Sequence, residues 1–390
     1  MLSAGDVRAA FSSAFGRECD VVTRAPGRVN LIGDHTDYNE GFVLPIAIEQ
    51  CTWVACAARD DNEARVATIE LDEEHEWRLD QCDASDAPHW ATYLIGVAQL
   101  LRNAGAHLSG FDLLIKSDIP PGGGLSSSAA LVVSTALALG NVSGEPLETT
   151  EMIDLCVRAE RDYAGVPCGL MDPAVALLAK EGAALSLDCR SRRHEFVPVT
   201  LPDCELLVID SGVRHNLADG EYELRRRQCA SAVEYFRSTD ADVAALRDVR
   251  SATVRSHASQ MDPLLVARAL HVASENERVR DAVGALRDCD AAGFGQLMNA
   301  SHRSLRDDYE ASCPQADRLV DFVRSDPGTF GARLTGGGFG GCVVVLASLA
   351  AADRIVSVLG GDSAPACASV YRVRPAAGAG IHVASARQGA

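Results

Sequence analysis

Residues 120–129 read Pro-Pro-Gly-Gly-Gly-Leu-Ser-Ser-Ser-Ala and run without a break into the apolar stretch Ala130 to Leu139. A β-rich run, Phe111 to Lys116, stands immediately before them. Strand, glycine turn, hydroxyl cluster and buried helix in that order leave the chain few ways to fold. The glycines admit positive φ and let the backbone come close to a bulky group. The start of a helix adds unpaired N–H groups and the positive end of its dipole. The segment thus reads as an anion cradle made of Gly122, Gly123, Gly124, Leu125, Ser126, Ser127 and Ser128. No lysine follows, so the Walker pattern is absent. The whole chain has only two lysines, Lys116 and Lys180. A phosphate held here is met by backbone, hydroxyls, a metal or arginine. The alternative is a flexible connection into a buried helix.

At 390 residues the chain is long enough for two or three domains. Its net charge of −18 argues against nucleic acid or an anionic membrane as the main partner, because either surface repels it. The thirteen cysteines form no C-x-x-C pair, which leaves neither a zinc site nor a disulfide framework and favours a reducing compartment. No cationic segment followed by an apolar core opens the sequence, and its longest apolar stretch is too short to span a bilayer. The expectation is a cytoplasmic protein, probed by small molecules rather than by macromolecules, and monomeric.

The order of elements points to an α+β fold in two parts. Val21 to about Thr68 mixes short β-rich runs with turns, and Met152 to Tyr163 has the apolar spacing of a helix. Leu206 to Ile209 reads as a buried strand. The two prolines in Val197 to Pro202 mark a linker before it. Beyond it, Glu221–Phe236, Leu264–Arg287, Phe294–Arg306 and Asp317–Arg324 read as helices, and Gly336 to Gly341 leads into a strand over Cys342–Ala347. The expected division is residues 1–200 and 201–390.

Four further clusters carry chemistry. Gly27 to Tyr38 packs Arg28, Asp34, His35, Asp37 and Tyr38 between apolar segments. Short carboxylates and an imidazole suit a polyhydroxylated ligand, which needs both donors and acceptors; a polar surface turn is the alternative. Glu160, on the helix that ends at Gly165, could join a serine hydroxyl in holding a hard cation such as Mg²⁺, or it could be a solvated helix residue. Asp172 followed by Pro173 has the pattern of a helix N-cap with proline at the first helical position, yet a carboxylate there could equally be presented to a cleft as a general base. The glycines of Leu334 to Gly341 imply close backbone approach, either to a ligand or within a tight turn.

Taken together, these segments resemble the GHMP family of small-molecule kinases, and within it the galactokinase group. Gly27 to Asn39 resembles that group's sugar signature, Pro120 to Ala129 the GHMP phosphate loop, and Leu334 to Gly341 the third GHMP motif. Ala164 to Asp172, Val213-Arg214-His215, Glu221-Tyr222, Arg225 to Cys229 and Ser301 to Tyr309 are similar to the same group. The resemblance implies an N-terminal mixed α/β domain and a C-terminal ferredoxin-like domain, with the active site in the cleft between them. It implies transfer of a phosphoryl group from ATP to the anomeric hydroxyl of α-D-galactose, giving galactose 1-phosphate, with Mg²⁺ as cofactor. Asp172 would take or orient the hydroxyl proton, and Arg28 would stabilise transition-state charge. Asp34, His35, Thr36 and Asp37, with Gly169 and Tyr222, would bind the sugar. Gly122 to Ser128 would wrap the phosphates, Ser128 and Glu160 would hold the metal, and Gly336 to Gly338 would support the loop. A kinase for another hexose such as N-acetylgalactosamine, or a galactose- and ATP-binding regulator without turnover, has the same outline. The chain departs from the family in carrying Asp34 where Glu is usual, which shortens the reach toward the sugar 6-hydroxyl, in Pro173 where Gln is usual, and in Ala130 where Ser is frequent.

Overall fold

The fourteen-residue strand Pro45–Ala58 organises the N-terminal half. Alternate side chains of a strand face opposite ways, and here both ways are covered. Val54 and Cys56 face a core shared with Val132, Val133 and Ala136 of the helix Ser127–Val142, whereas Trp53, Ala55 and Ala57 pack under Val7 and Phe11 of the helix Ala4–Phe15. The computed structural model describes residues 2–81, 84–120, 122–213, 220–359, 367 and 369–384.

The strands of the described residues form three sheets. A six-stranded sheet runs, in spatial order, Gly380–Ala384, Val21–Asn30, Pro45–Ala58, Phe111–Ser117, Glu63–Thr68 and Glu73–Arg78. Its neighbours are antiparallel except for the parallel pair Glu63–Thr68 and Phe111–Ser117. A three-stranded sheet joins Phe42–Val43, Ala183–Asp188 and His194–Pro198. The antiparallel four-stranded sheet has the order Thr329–Thr335, Cys342–Ser348, Cys204–Asp210, Ser369–Val373. In chain order that is second, third, first, fourth, with helices after the first and third strands, which is the split βαβ arrangement of a ferredoxin-like domain. The α+β architecture with an N-terminal mixed domain and a C-terminal ferredoxin-like domain is therefore present.

The two halves share a core. Leu206, Val208, Val344 and Leu346 of the four-stranded sheet belong to the same apolar cluster as the N-terminal sheet and its helices. The alternate residues Leu207, Ile209, Val343 and Val345 face a second cluster under the C-terminal helices. The last strand, expected with the second half, returns to pair with Val21–Arg24 at the edge of the first sheet. Val197 and Pro198, expected in a linker, end a strand instead, and the connection is shorter than the prolines suggest.

The helices expected in the second half are found, mostly one or a few residues longer: Glu221–Thr239, Pro263–Arg287, Ala291–Asp307 and Pro314–Arg324. The strand over 342–347 extends to Ser348. The helix expected over 152–163 differs. It is α-helical over Thr149–Arg158 and then widens into a π-turn, Ala159–Tyr163, that carries Glu160. Such turns are rare overall and are frequent at functional sites. No helix among the described residues is long and apolar enough to cross a membrane.

Candidate active site

The strand Val21–Asn30 ends by placing Arg28, only 5% exposed, beneath the glycine–serine loop. Its backbone N–H donates to the Leu125 carbonyl at 3.1 Å and its Nη1 to the Gly124 carbonyl at 2.6 Å. The rest of the guanidinium forms a two-pronged fork on Asp172, Nε to Oδ1 at 2.8 Å and Nη2 to Oδ2 at 2.7 Å. Such pairs are charge-assisted and geometrically exacting. The Ser126 hydroxyl donates to the same Oδ2.

Asp172 is therefore not a cap. The helix Met171–Leu178 begins one residue before it, Leu170 precedes the first turn, and both carboxylate oxygens go to Arg28 and Ser126. Pro173 lies within the first turn, where a missing N–H costs no intrahelical bond.

The glycine–serine loop behaves as its composition requires. Gly122 and Gly124 take positive φ (69° and 73°), and so does Ser126 (59°), a left-handed conformation that a non-glycine residue holds only under constraint. Because the Ser126 side chain is committed to Asp172, it does not cap the helix Ser127–Val142. The unpaired N–H groups of that helix's first turn remain for an anion in the cleft. The motif at 336–341 presses against the loop. A Cβ on Gly336 would stand 2.9 Å from the Gly124 carbonyl oxygen, and one on Gly341 3.3 Å from that of Gly123. Its glycines serve close loop-to-loop packing.

Two chambers open here and share a wall. The outer one is lined by Gly122, Gly124, Ser126, Ser127 and, across from them, Thr335 and Gly337 to Gly341. The inner one is lined by Asp34, His35, Asp37, Glu160, Gly169 and Gly336, among others. Arg28, Ser128, Asp172, Tyr222 and Gly337 line both. Residues from five separate stretches of the chain thus converge on one crevice, with the Arg28–Asp172 pair at the junction. Gly123 and Leu125, expected at the phosphates, are buried and line neither chamber. Thr36, expected at the ligand, lines neither chamber and spends its hydroxyl on the carbonyls of Gly33 (2.8 Å) and Phe42 (2.7 Å). Arg214 and His215 lie outside the described residues.

The inner chamber is acidic and rich in unspent polar atoms. His35 is buried between Tyr222 and Tyr309, at ring centroid distances of 5.6 and 4.6 Å. Its Nδ1 meets the Tyr38 hydroxyl at 3.0 Å, while Nε2 has no protein partner. Burial holds its pKa well below the usual imidazole value, so it is neutral and can donate or accept. Asp37 is raised to about 6 by burial and by the neighbouring charge of Asp172. Glu160 is raised to about 7, burial outweighing the Ser128 hydroxyl and the Cys168 thiol that pull it down, and its Oε1 is buried without a partner. Asp34 also points here, but Asn30 Nδ2 (2.7 Å) and Arg333 Nη2 already hold its oxygens.

Several residues that build this site are not marked in the sequence as such. The helix Pro263–Arg287 sends His271, Glu275 and Asn276, all buried, onto the loop that carries Asp34 and Asp37. His271 Nε2 lies 3.2 Å from the Asp34 carbonyl, Glu275 accepts from the Gly33 N–H at 2.9 Å, and Asn276 accepts from the Phe42 N–H at 2.9 Å. Buried polar residues at i, i+4 and i+5 on an otherwise apolar helix face are the only local hint, and charge alone assigns them to solvent.

Comparison with known proteins agrees with this geometry. Residues 9–58 match the galactokinase galactose-binding signature, residues 92–180 the GHMP kinase N-terminal domain and residues 282–362 the GHMP kinase C-terminal domain. The chain is 44% identical to the galactokinase of Chloroflexus aurantiacus, over 89% of this chain and 88% of that one. It is 41% identical to that of Roseiflexus sp. (strain RS-1) over 99% of both, and 42% identical to that of Bos taurus over 90% and 89%. The crystal structure of Lactococcus lactis galactokinase complexed with galactose superposes with a TM-score of 0.88 at 29% identity, covering 96% of this chain and 99% of the other. A mevalonate kinase structure at 18% identity, TM-score 0.62 and coverage of 91% and 98% shares the fold. A sugar signature, two kinase domains and near end-to-end likeness to bacterial and mammalian relatives have one common explanation: the chain belongs to the galactokinase family of GHMP kinases.

Proposed function

We propose that the protein is an ATP-dependent galactokinase: it transfers the γ-phosphoryl group of ATP to the anomeric hydroxyl of α-D-galactose and releases galactose 1-phosphate and ADP. The observation that carries the assignment of roles is the Arg28–Asp172 fork at the wall shared by the two chambers. A nucleotide in the outer chamber and a sugar in the inner one would meet there. Asp172 would receive the hydroxyl proton late in the transfer, and Arg28 would stay beside the charge that develops on the phosphoryl oxygens. Phosphoryl transfer asks mainly for alignment and charge stabilisation, which a pre-formed pair supplies without reorganisation.

The inner chamber suits a galactose. Asp37 and the free Nε2 of His35 would take its outer hydroxyls, Asp34 would stand toward the 6-hydroxyl, and Tyr222 and Gly169 would close the pocket. An added Cβ at Gly169 would collide with the Asp37 carboxylate. Gly169→Ala is therefore expected to raise the KM for galactose by about ten-fold or more while the KM for ATP changes little, as steady-state kinetics in both substrates would reveal.

Glu160 and Ser128 fit a hard cation, since a buried carboxylate oxygen without a protein partner beside a hydroxyl is a ready oxygen donor set. They would hold Mg²⁺, which when bound neutralises phosphate charge. The raised Glu160 value has a measurable consequence. Its neutral form is the one favoured by folding, so its stabilising contribution is complete below the ordinary value of 4.5 and is lost as pH rises through about 7. Asp37 acts in the same direction between 3.8 and about 6. The metal-free protein is expected to melt at lower temperature at pH 7.5 than at pH 5, and Glu160→Gln to flatten that slope. Thermal scans with and without Mg²⁺ test this, and an unaltered slope in the variant would count against the assignment.

A reducing, cytoplasmic setting is supported by the twelve described cysteines, all of them free thiols. A monomer without nucleic acid or membrane partners is consistent with the strongly acidic balance. A coupled assay for ADP release over a panel of sugars, N-acetylgalactosamine included, decides the activity. Galactose is expected to be the preferred acceptor. Tight sugar binding with no ADP from any sugar would instead mark a sensor.

A further inference from the structure

Asn30 and Asp34 are separated in sequence from Arg333 by about three hundred residues, yet one guanidinium ties them together. Arg333, in the second half of the strand Thr329–Thr335, is fully buried. Its Nη1 donates to the Asn30 carbonyl at 2.9 Å, its Nη2 to the Asp34 carboxylate, and Nη2 also lies 4.0 Å from Glu275. Two residues on, the Thr335 hydroxyl donates to the same Asn30 carbonyl at 2.9 Å and accepts from the Asn30 N–H at 3.2 Å. Thr335 opens the Gly336–Gly341 turn that walls the outer chamber, and Asn30 opens the loop that walls the inner one.

We propose that Arg333 is a positioning residue for the acceptor sugar: through Asp34 and the Asn30 carbonyl it sets the register of the sugar loop against the nucleotide-side turn. The inference deepens the galactokinase reading and rests on it. Asp34 is one methylene shorter than glutamate and is drawn back between Asn30 and Arg333. The orientation of its remaining lone pairs toward the inner chamber is thus set by those two donors. Water cannot replace Arg333 at a fully buried position, and a planar fork can reach a carbonyl and a carboxylate at once. A lysine keeps the charge but has a single ammonium to share between them. Losing one charge-assisted bond while keeping the ion separates positioning from mere neutralisation.

The test is Arg333→Lys, with kinetics varied in both substrates and galactose titrated calorimetrically without nucleotide. KM and Kd for galactose are expected to rise about ten-fold, the effect of one such bond, while KM for ATP stays within about two-fold. An unchanged galactose Kd, or equal losses for both substrates, overturns the proposal while leaving the activity of the parent protein intact. No turnover of galactose by the parent protein defeats the galactokinase reading and this inference with it. Should Arg333→Lys fail to fold, Thr335→Val cuts only the link to Asn30. It is expected to raise the galactose Kd, titrated without nucleotide, by about three-fold, and no change in that Kd would overturn the proposal.

Discussion

Asp172→Asn is expected to take turnover to background, a loss of about 10²–10⁴-fold in kcat, while the nucleotide still binds. The reason lies in the geometry of the fork. Arg28 Nε donates to one carboxylate oxygen and Nη2 to the other, and Ser126 donates to the second as well. Whichever way an asparagine amide is turned, its NH₂ group faces a donor. The guanidinium must swing away, and the substituted side chain no longer has the charge that can receive a proton. The Nη1 bond to the Gly124 carbonyl and the glycine backbone of the outer chamber do not depend on that charge. ADP release and calorimetric titration with a non-hydrolysable ATP analogue report the two properties separately. A variant that turns over at a near-normal rate would remove Asp172 from the base role.

Arg28→Ala is expected to lower kcat by about 10²–10³-fold and to raise the KM for galactose by much less. The substitution removes three hydrogen bonds, two to Asp172 and one to the phosphate loop, and leaves a partly buried carboxylate without its counter-ion. Interactions that strengthen as charge moves onto the phosphoryl oxygens act on the rate, whereas contacts with the ground-state sugar act on KM. The reverse pattern would make Arg28 a binding residue. Arg28→Lys is expected to recover only part of the rate, because a point charge cannot form the fork.

Much of this was readable in advance, for reasons that differ from element to element. The segment from Phe111 to Val142 announces itself because each part has its own local chemistry: β-branched and apolar residues for the strand, glycines for the turn, an apolar run for the helix. The long helix Pro263–Arg287 was expected over Leu264–Arg287, and the structure adds what fixes its start, the Asp262 carboxylate accepting from the Leu264 N–H and Pro263 at the first position. The helix His89–Asn103 did not stand out, since neither a capping side chain nor an acidic residue in its first turn marks where it starts. The π-turn at Ala159–Tyr163 could not be foreseen, because its residues are ordinary helix formers and the widening depends on what packs around Glu160. Asp172 was open to two readings, because a short acid before proline is the composition of a cap as well as of a base presented to a cleft, and a long-range partner, Arg28, decides between them. Thr36 was the opposite case, a hydroxyl beside ligand-facing residues that the loop uses to close on itself.

Local order and local chemistry were determined by the sequence alone: which stretches become strands or helices, where the backbone must turn tightly, and which residue types could meet phosphate or hydroxyl groups. These follow from spacings of a few residues, over which propensity and hydrophobic period act. Only the tertiary structure decided who meets whom. Arg28 and Asp172 are 144 positions apart, and Asp34 and Arg333 are 299. Their pairing depends on a core common to both halves of the chain and on buried charges that must find each other once water is excluded.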